Sequence, residues 1–203
     1  MQLVFATNNK NKILEIVPLI HGGIKLISLN DIGCMEEIPE TSDTIEGNAS
    51  QKARYVYDKY GRNCFADDTG LEIEALGGQP GVRSARYAGE DRKAEENMNK
   101  VLQEMQNISN RAARFKTVIS LIIDGREKQF EGFVKGIILT EKRGKKGFGY
   151  DPIFMPDGYN ISFAEMTLEE KNKISHRAIA VKKLAEYLNK IEQNHGRANN
   201  SNN

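Results

Sequence analysis

The chain has 203 residues, a formal net charge of +1, 39% hydrophobic residues and 28% charged residues. This composition is typical of a soluble globular protein that forms one domain, or one core divided into two lobes. The near-neutral charge and the lack of a long basic run argue against nucleic acid as a partner. No apolar run approaches the roughly 20 residues of a membrane helix, which argues against a membrane protein.

Cysteine usage and the N-terminus indicate the compartment. Cys34 and Cys64 are the only cysteines, too few and too far apart for a disulfide framework or a zinc site. The N-terminus lacks the charged and then apolar pattern of a signal peptide. We therefore expect reduced thiols and a cytoplasmic protein.

The N-terminal third alternates between predicted strands and helices. An apolar run predicts a buried strand, a polar loop follows it, and apolar residues at helical spacing come next, where Pro18 would kink or end the helix. The predicted elements are, in chain order, a strand at 3–6, a loop at 7–12, a helix at 13–20, a strand at 25–28, a loop at 31–43 and a helix at 44–60.

The following segments have the patterns of antiparallel strands. Asp124-Gly125 is a hairpin signal, and the strand before it alternates like a half-buried strand. The predicted elements are strands at 64–66 and 71–74, a turn at 77–81, a helix at 93–105, strands at 115–123 and 129–139, and a helix at 178–191. We predict an α/β protein with a mixed sheet and a second lobe, a single domain over residues 1–192, and a disordered Asn-rich tail over residues 193–203.

Polar side chains between the first strand and the first helix predict an anion site. The helix N-terminus adds a partial positive charge to their hydroxyl, amide and ammonium groups, although the segment lacks the glycines of a Walker loop. A polar helix cap without a ligand explains the same residues, so both interpretations stay open. The residues are Thr7, Asn8, Asn9, Lys10, Asn11 and Lys12.

Three carboxylates form a candidate metal site. Asp67 and Asp68 follow an apolar strand, at what we expect to be its C-terminal end, where ligands bind in α/β folds. Carboxylates without a nearby histidine or cysteine suit a hard cation such as magnesium, and Glu40 in an earlier loop is the third candidate. The alternative is that Asp67 or Asp68 only caps a turn.

The segment Gly147-Phe148-Gly149-Tyr150-Asp151-Pro152 predicts a nucleobase site. Its two glycines let the backbone approach a ligand, its phenylalanine offers a flat apolar face, and its aspartate offers an acceptor. An ordinary turn that ends at Pro152 explains the same pattern.

Charged residues open the last predicted helix. Thr167 and Glu170 have the spacing of a capping box, and Ser175 can cap a following helix with His176 and Arg177 in its first turn. Cations at that position oppose the helix dipole, so an acceptor-rich ligand would account for them. Exposed surface positions are the alternative.

Six segments, taken in order, resemble the inosine/xanthosine triphosphate pyrophosphatase family, whose members hydrolyse non-canonical purine nucleotides. One such motif is weak support, whereas the ordered set is specific and spans most of the chain. Asn8 stands where glycine is frequent in the family and Thr69 where serine is frequent, and neither departure changes the hydrogen-bond donors much. The segments are residues 6–12, 45–49, 66–71, 80–89, 147–152 and 175–177.

The resemblance implies an elongated α/β fold with a long mixed central sheet, flanking helices and two lobes with an active-site cleft between them. It also implies a homodimer. The implied reaction converts inosine, deoxyinosine or xanthosine triphosphate (ITP, dITP, XTP) and water to the monophosphate and pyrophosphate. The implied cofactor is Mg²⁺.

The resemblance further assigns roles to single residues. Asp68 is the base that activates the water and shares the metal with Glu40, and Asp67 is a second candidate ligand. The phosphates would be held by Thr7, Asn9, Lys12 and Lys52. The purine would stack on Phe148, and its edge would be read by Asp151, Lys171, His176 and Arg177. The wider set of substrate-binding candidates adds Asn8, Lys10, Asn11, Thr69, Gly149 and Tyr150.

Two other classes of function stay open on the residues alone. A nucleotide-binding module without catalysis would keep the lysines and Phe148 but would not need the acidic cluster. A structural protein whose glycines serve only turns would not respond to triphosphates at all.

Overall fold

The structure is a computed structural model that describes residues 1–20 and 23–200, with side chains through residue 193. None of the described helices is long and apolar enough to cross a membrane. The strands are β1 (Gln2–Phe5), β2 (Lys25–Ile27), β3 (Cys64–Ile73), β4 (Pro80–Gly81), β5 (Ala112–Ile123), β6 (Arg126–Ile138) and β7 (Phe154–Pro156). The helices are α1 (Lys10–Ile16), α2 (Ile45–Tyr60), α3 (Ala94–Glu104), α4 (Leu168–Ile174) and α5 (His176–Asn200).

The strands form one mixed sheet in the order β2-β1-β3-β5-β6-β7, with β4 also paired to β3. β1 is parallel to β2 and β3, and the other pairs are antiparallel, as the alternating and hairpin patterns predicted. Asp124 and Gly125 both have positive φ, of 49° and 77°, which allows the predicted tight hairpin between β5 and β6. The α/β fold with a mixed sheet is therefore confirmed.

The prediction of two separate strands at 64–66 and 71–74 is wrong. β3 is a single strand of ten residues, because β5 pairs with it continuously from Cys64 to Ile73. Polar side chains in the middle of the run suggested a loop, but the backbone ladder depends on the partner strand and not on side-chain polarity. β1 pairs with β3 only as far as Phe65, so Asp67 and Asp68 lie just beyond the end of β1.

Different helices cover the two faces of the sheet in the N-terminal lobe. Side chains alternate along a strand, so Phe65 and Leu121 pack with α5 on one face. Cys64 and Ile122 pack with α2 on the other face. Both cysteines are free and buried, as expected for reduced thiols.

The second lobe forms at the other end of β3, β5 and β6. Phe115 packs against Phe154 and Phe163, and α3 contributes Met98 and Val101 to the same core. The strands that pass through both cores join the lobes, and the candidate site lies between them. The predicted domain limit and the tail over 193–203 stay predictions, because residues 201–203 and the side chains of 194–200 lie outside the described part.

Candidate functional site

A cavity of about 590 Å³ lies between the two lobes and collects nearly all of the predicted site residues. Among the predicted substrate-binding residues, Lys10 does not line it and is exposed at the first position of α1. The predicted residues that do line the cavity are Thr7, Asn8, Asn9, Asn11, Lys12, Glu40, Lys52, Asp68, Thr69, Phe148, Gly149, Tyr150, Asp151, Lys171, His176 and Arg177.

The polar loop before α1 forms both a helix cap and part of the cavity wall. Asn9 Oδ1 accepts hydrogen bonds from the backbone N–H groups of Asn11 and Lys12, at 3.0 and 3.3 Å. Thr7 Oγ1 accepts from the backbone N–H of Asn9 at 3.2 Å. The cap interpretation therefore holds for Asn9, whereas the ammonium of Lys12 extends inward to Asp67.

The adjacent aspartates of β3 point to opposite faces of the sheet and enter different environments. Asp67 Oδ2 lies 3.0 Å from Lys12 Nζ and 3.4 Å from Arg177 Nε. Burial alone would raise the pKa of Asp67, but Lys12 and Arg177 lower it to about 2. Asp67 is thus an ionised, inward-facing anion that holds two cations in place.

Asp68 faces α2 and shares one ammonium with Glu40. Lys52 Nζ lies 2.5 Å from Glu40 Oε1 and 3.5 Å from Asp68 Oδ1, and Asn48 Nδ2 donates to Asp68 Oδ2 at 3.3 Å. Burial raises the pKa of Asp68, and Lys52 counteracts only part of this effect. A carboxylate with a raised pKa beside a cavity is a candidate for a general base.

The other end of the cavity has an aromatic face fixed by a carboxylate. Asp151 Oδ2 accepts from the backbone N–H of Phe148 at 2.8 Å and from Lys171 Nζ at 2.6 Å. Gly147 has φ 72°, and a Cβ there would lie 2.1 Å from Asp151 Oδ2, so only glycine fits. Lys171 Nζ lies 5.1 Å from the centre of the Phe148 ring. The predicted turn is therefore real, and it presents Phe148 to the cavity.

Comparison with known proteins identifies the family. The Ham1 family matches residues 3–187 of the chain. The chain belongs to the Ham1 family. It is 59% identical over 188 residues to a dITP/XTP pyrophosphatase of Flavobacterium psychrophilum, covering 93% of this chain and 99% of that one. A dITP/XTP pyrophosphatase of Bacillus subtilis is 46% identical over 191 residues, covering 92% and 96%.

Solved structures of the Ham1 family share the fold. The Staphylococcus aureus Ham1 protein superposes with a TM-score of 0.86 at 37% identity, covering 93% of this chain and 98% of that chain. A HAM1 protein from Coxiella burnetii gives a TM-score of 0.88 at 37% identity, covering 94% and 99%. The implied α/β fold with a central mixed sheet is therefore confirmed.

Glu15 is the site residue that the sequence analysis missed. Its Oε1 lies 2.8 Å from Lys171 Nζ, and its Oε2 contacts Arg177 Nη1, so it bridges the two cations nearest Phe148. Burial opposes its ionisation, but Arg177 and Lys171 lower its pKa. The sequence contained one indication of this role. Glu15 follows Lys12 by three positions on α1, so the two side chains lie on the same side of the helix.

Arg177 is held by three partners at the start of α5. Its Nε approaches Asp67, its Nη2 donates to Thr69 Oγ1 at 3.1 Å, and its Nη1 contacts Glu15. Its side chain is buried, so the alternative of an exposed surface residue is wrong. Ser175 Oγ accepts from the backbone N–H of Ala178 at 3.1 Å, which confirms the predicted helix cap.

The environment of His176 disfavours the cation that the sequence predicted in the first turn of this helix. Its ring stacks on Phe115 with centroids 4.6 Å apart and an interplanar angle of 15°. Burial lowers its pKa well below the usual range, and the charges of Arg177 and Lys171 lower it further. Its Nδ1 has no hydrogen-bond partner within the described residues. A neutral imidazole presents one donor and one acceptor.

Proposed function

We propose that this Ham1 family chain hydrolyses dITP, ITP and XTP to the nucleoside monophosphate and pyrophosphate. The observation that supports this proposal is one cavity with an aromatic face and fixed donors at one end, and lysines beside a carboxylate pair at the other. Such a cavity matches a purine joined to a triphosphate. The curated relatives carry the name dITP/XTP pyrophosphatase.

In the proposed mechanism, water attacks the α-phosphorus and pyrophosphate leaves. Asp68 accepts the proton of the attacking water, a role that suits a carboxylate whose pKa burial has raised. Lys12 and Lys52 stabilise the charge that develops on the phosphates, and Thr7 positions a phosphate oxygen. Positioning and charge stabilisation suffice for this step, since no covalent intermediate is needed.

The carboxylates of Glu40 and Asp68 fit a magnesium ion. Both contact one cationic atom, Lys52 Nζ, so the two carboxylates face a common point that the ammonium would leave to the ion when it turns to the phosphates. Within the described part of the chain, no three His, Cys, Asp or Glu side chains converge on one point, so phosphate oxygens and water would complete the shell. When bound, Mg²⁺ would neutralise phosphate charge and polarise the reacting phosphoryl group.

Base selection would come from donors held in fixed positions. Phe148 stacks on the purine. Lys171 Nζ and Arg177 Cζ lie 5.1 and 5.4 Å from the centre of the Phe148 ring. A keto group at purine position 6 accepts hydrogen bonds, whereas the amino group of adenine donates them. Adenine would instead place its amino donor against these donors, a mismatch that lowers its affinity.

We also propose a cytoplasmic homodimer. Reduced, buried Cys34 and Cys64 agree with a reducing compartment. Phe133 and Ile137 are exposed and four residues apart on β6, so they lie on one face that a second copy could cover. Light scattering after size exclusion tests the assembly, and a mass of one chain at all concentrations contradicts it.

A pyrophosphate-release assay over a panel of triphosphates tests the proposed function. Wild type should release pyrophosphate from ITP, dITP and XTP, lose activity with a chelator and regain it with Mg²⁺. Asp68→Asn should lower kcat on the order of a hundredfold or more. Triphosphate binding without turnover would support a binding module instead, and no thermal shift with any triphosphate would support a structural protein.

A further inference from the structure

Arg92 is a cation of the cavity wall that the proposed mechanism does not use. It lies just before α3, and its side chain lines the cavity. Its Nη2 is 2.9 Å from Glu37 Oε1 and 3.9 Å from Glu40 Oε2. Arg92 therefore lies beside one of the two carboxylates proposed to bind the metal.

The ion pairs connect Arg92 to the acidic end of the site, whereas Phe148 lies at the base end with Lys171. From the base end, contacts run in order through Asp151, Lys171, Glu15, Arg177, Asp67 and Lys12. From the adjacent Asp68, they continue through Lys52, Glu40, Arg92 and Glu37. A triphosphate with its base on Phe148 and its α-phosphorus at Asp68 would bring its terminal phosphates to the acidic end, where Arg92 lies beside Glu40.

Arg92 is also the cation of the cavity that can change partner most easily. Its side chain is 45% exposed and that of Glu37 is 76% exposed. By contrast, the side chains of Lys12, Lys52 and Arg177 are 14%, 8% and 2% exposed, and each contacts a carboxylate. An exposed ion pair contributes little net stability, so exchange of Glu37 for a phosphate costs little.

The backbone of Arg92 does not explain why an arginine stands there. Its φ is 54°, in the left-handed region that favours glycine and asparagine. An arginine in this conformation carries strain, and strained residues cluster at ligand sites. The planar guanidinium can donate two parallel hydrogen bonds to phosphate oxygens, which neither glycine nor asparagine can do.

We propose that Arg92 binds the terminal phosphates of the triphosphate and the pyrophosphate that leaves. This inference rests on the hydrolase function proposed above and adds a residue that distinguishes substrate from monophosphate product. On binding, the guanidinium moves from Glu37 to the non-bridging oxygens of the β- and γ-phosphates, and Glu37 returns to solvent.

Calorimetric titration of inorganic pyrophosphate with Mg²⁺, and separately of inosine monophosphate, tests the proposal. Arg92→Asn removes the guanidinium, and asparagine tolerates the positive φ. Arg92→Lys keeps the positive charge but cannot donate two parallel hydrogen bonds. Arg83→Asn is the matched control, because Arg83 does not line the cavity and its ion-pair partner among the described residues is Glu90, at 4.0 Å.

We expect Arg92→Asn to weaken pyrophosphate binding about tenfold or more, as for a lost hydrogen bond to a charged group. Arg92→Lys should recover part of this affinity, and Arg83→Asn should match wild type. Monophosphate binding should change less than about twofold in all variants, since the α-phosphate does not reach Arg92. Across these variants, kcat/KM for ITP should decrease in the same order as the affinity for pyrophosphate.

Two results overturn the proposal. The first is unchanged pyrophosphate affinity in an Arg92→Asn variant whose thermal unfolding matches wild type. The second is an equal loss of monophosphate affinity, which points to a general distortion of the site. The hydrolase proposal has a separate test. It fails if wild type releases no pyrophosphate from any triphosphate, and that result does not depend on any Arg92 variant.

Discussion

Asp67 and Asp68 are neighbours in the chain, yet their carboxyl groups have opposite pKa shifts. Asp67 contacts two cations on the α5 side, and its pKa falls to about 2. Burial raises the pKa of Asp68 on the α2 side. A strand turns successive side chains to opposite faces, so one residue step separates a structural anion from a candidate base.

At the residue scale, Lys52→Met should move the acid limb of the pH–activity profile to higher pH. Burial raises the pKa of Asp68 and the charge of Lys52 lowers it, so loss of the Lys52 charge should raise this pKa further. The value of kcat/KM should also fall by on the order of a hundredfold, because a phosphate contact is lost. Lys59→Met is the control, since Lys59 is exposed and contacts Glu36. An unmoved acid limb in Lys52→Met contradicts the role of Asp68 as base.

Asp67 should contribute a pH-dependent part of the folding stability. Its pKa is about 2 in the folded chain against an ordinary 3.8, so its contribution is present above pH 3.8 and is lost as the pH falls toward 2. At about 1.4 kcal/mol per pH unit, the loss amounts to about 2 kcal/mol.

Urea unfolding between pH 5 and pH 2 measures this contribution. Asp67→Asn should be less stable at pH 5, by about 3–5 kcal/mol, because Lys12 and Arg177 lose a buried anion. Its stability should also fall less steeply with acid than that of wild type. Parallel pH dependences of wild type and variant would show that Asp67 is not the titrating group.

At the element scale, the close packing of α5 on β6 fixes the base end of the site. A Cβ at Gly132 would lie 2.1 Å from the carbonyl oxygen of His176 and 2.6 Å from the backbone nitrogen of Ala180. Glycine therefore permits the approach that brings His176 and Arg177 into the cavity.

Gly132→Ala should displace the start of α5. We expect a loss of about 1–3 kcal/mol in the free energy of unfolding and a higher KM for ITP, because overpacking must shift the helix. Gly89→Ala is the matched control, since a Cβ there meets no atom within 4 Å and its φ is not positive. If Gly132→Ala matches Gly89→Ala in both measurements, the backbone contact does not position the site.

Local patterns predicted the elements and caps whose causes are local. Pro18 ends α1 at Ile16, the Thr167–Glu170 capping box forms as expected, and apolar spacing found α2. The polar middle of β3 was missed, because pairing with the distant β5 determines it. Glu15 was missed for the same reason, since Lys171 and Arg177 stand more than 150 residues later.

At the scale of the whole molecule, the cleft between the lobes gives the site a direction. The base end is built from α4, α5 and the Phe148 turn, and the acidic end from α2, β3 and the Glu40 loop. One series of ion pairs runs from Asp151 to Lys12 at the base end, and a second runs from Asp68 to Glu37 at the acidic end. In the proposed mechanism, the reacting phosphorus lies beside Asp68 and the terminal phosphates lie beyond it.

Hydrolysis of ITP in ¹⁸O-labelled water tests this placement most directly. Water that Asp68 activates attacks the α-phosphorus, so mass spectrometry should find one ¹⁸O atom in inosine monophosphate and none in pyrophosphate. Asp68→Asn should produce little of either product in the same time. Label in pyrophosphate, or the release of labelled orthophosphate, would place the attack at another phosphorus and contradict the proposed orientation of the substrate.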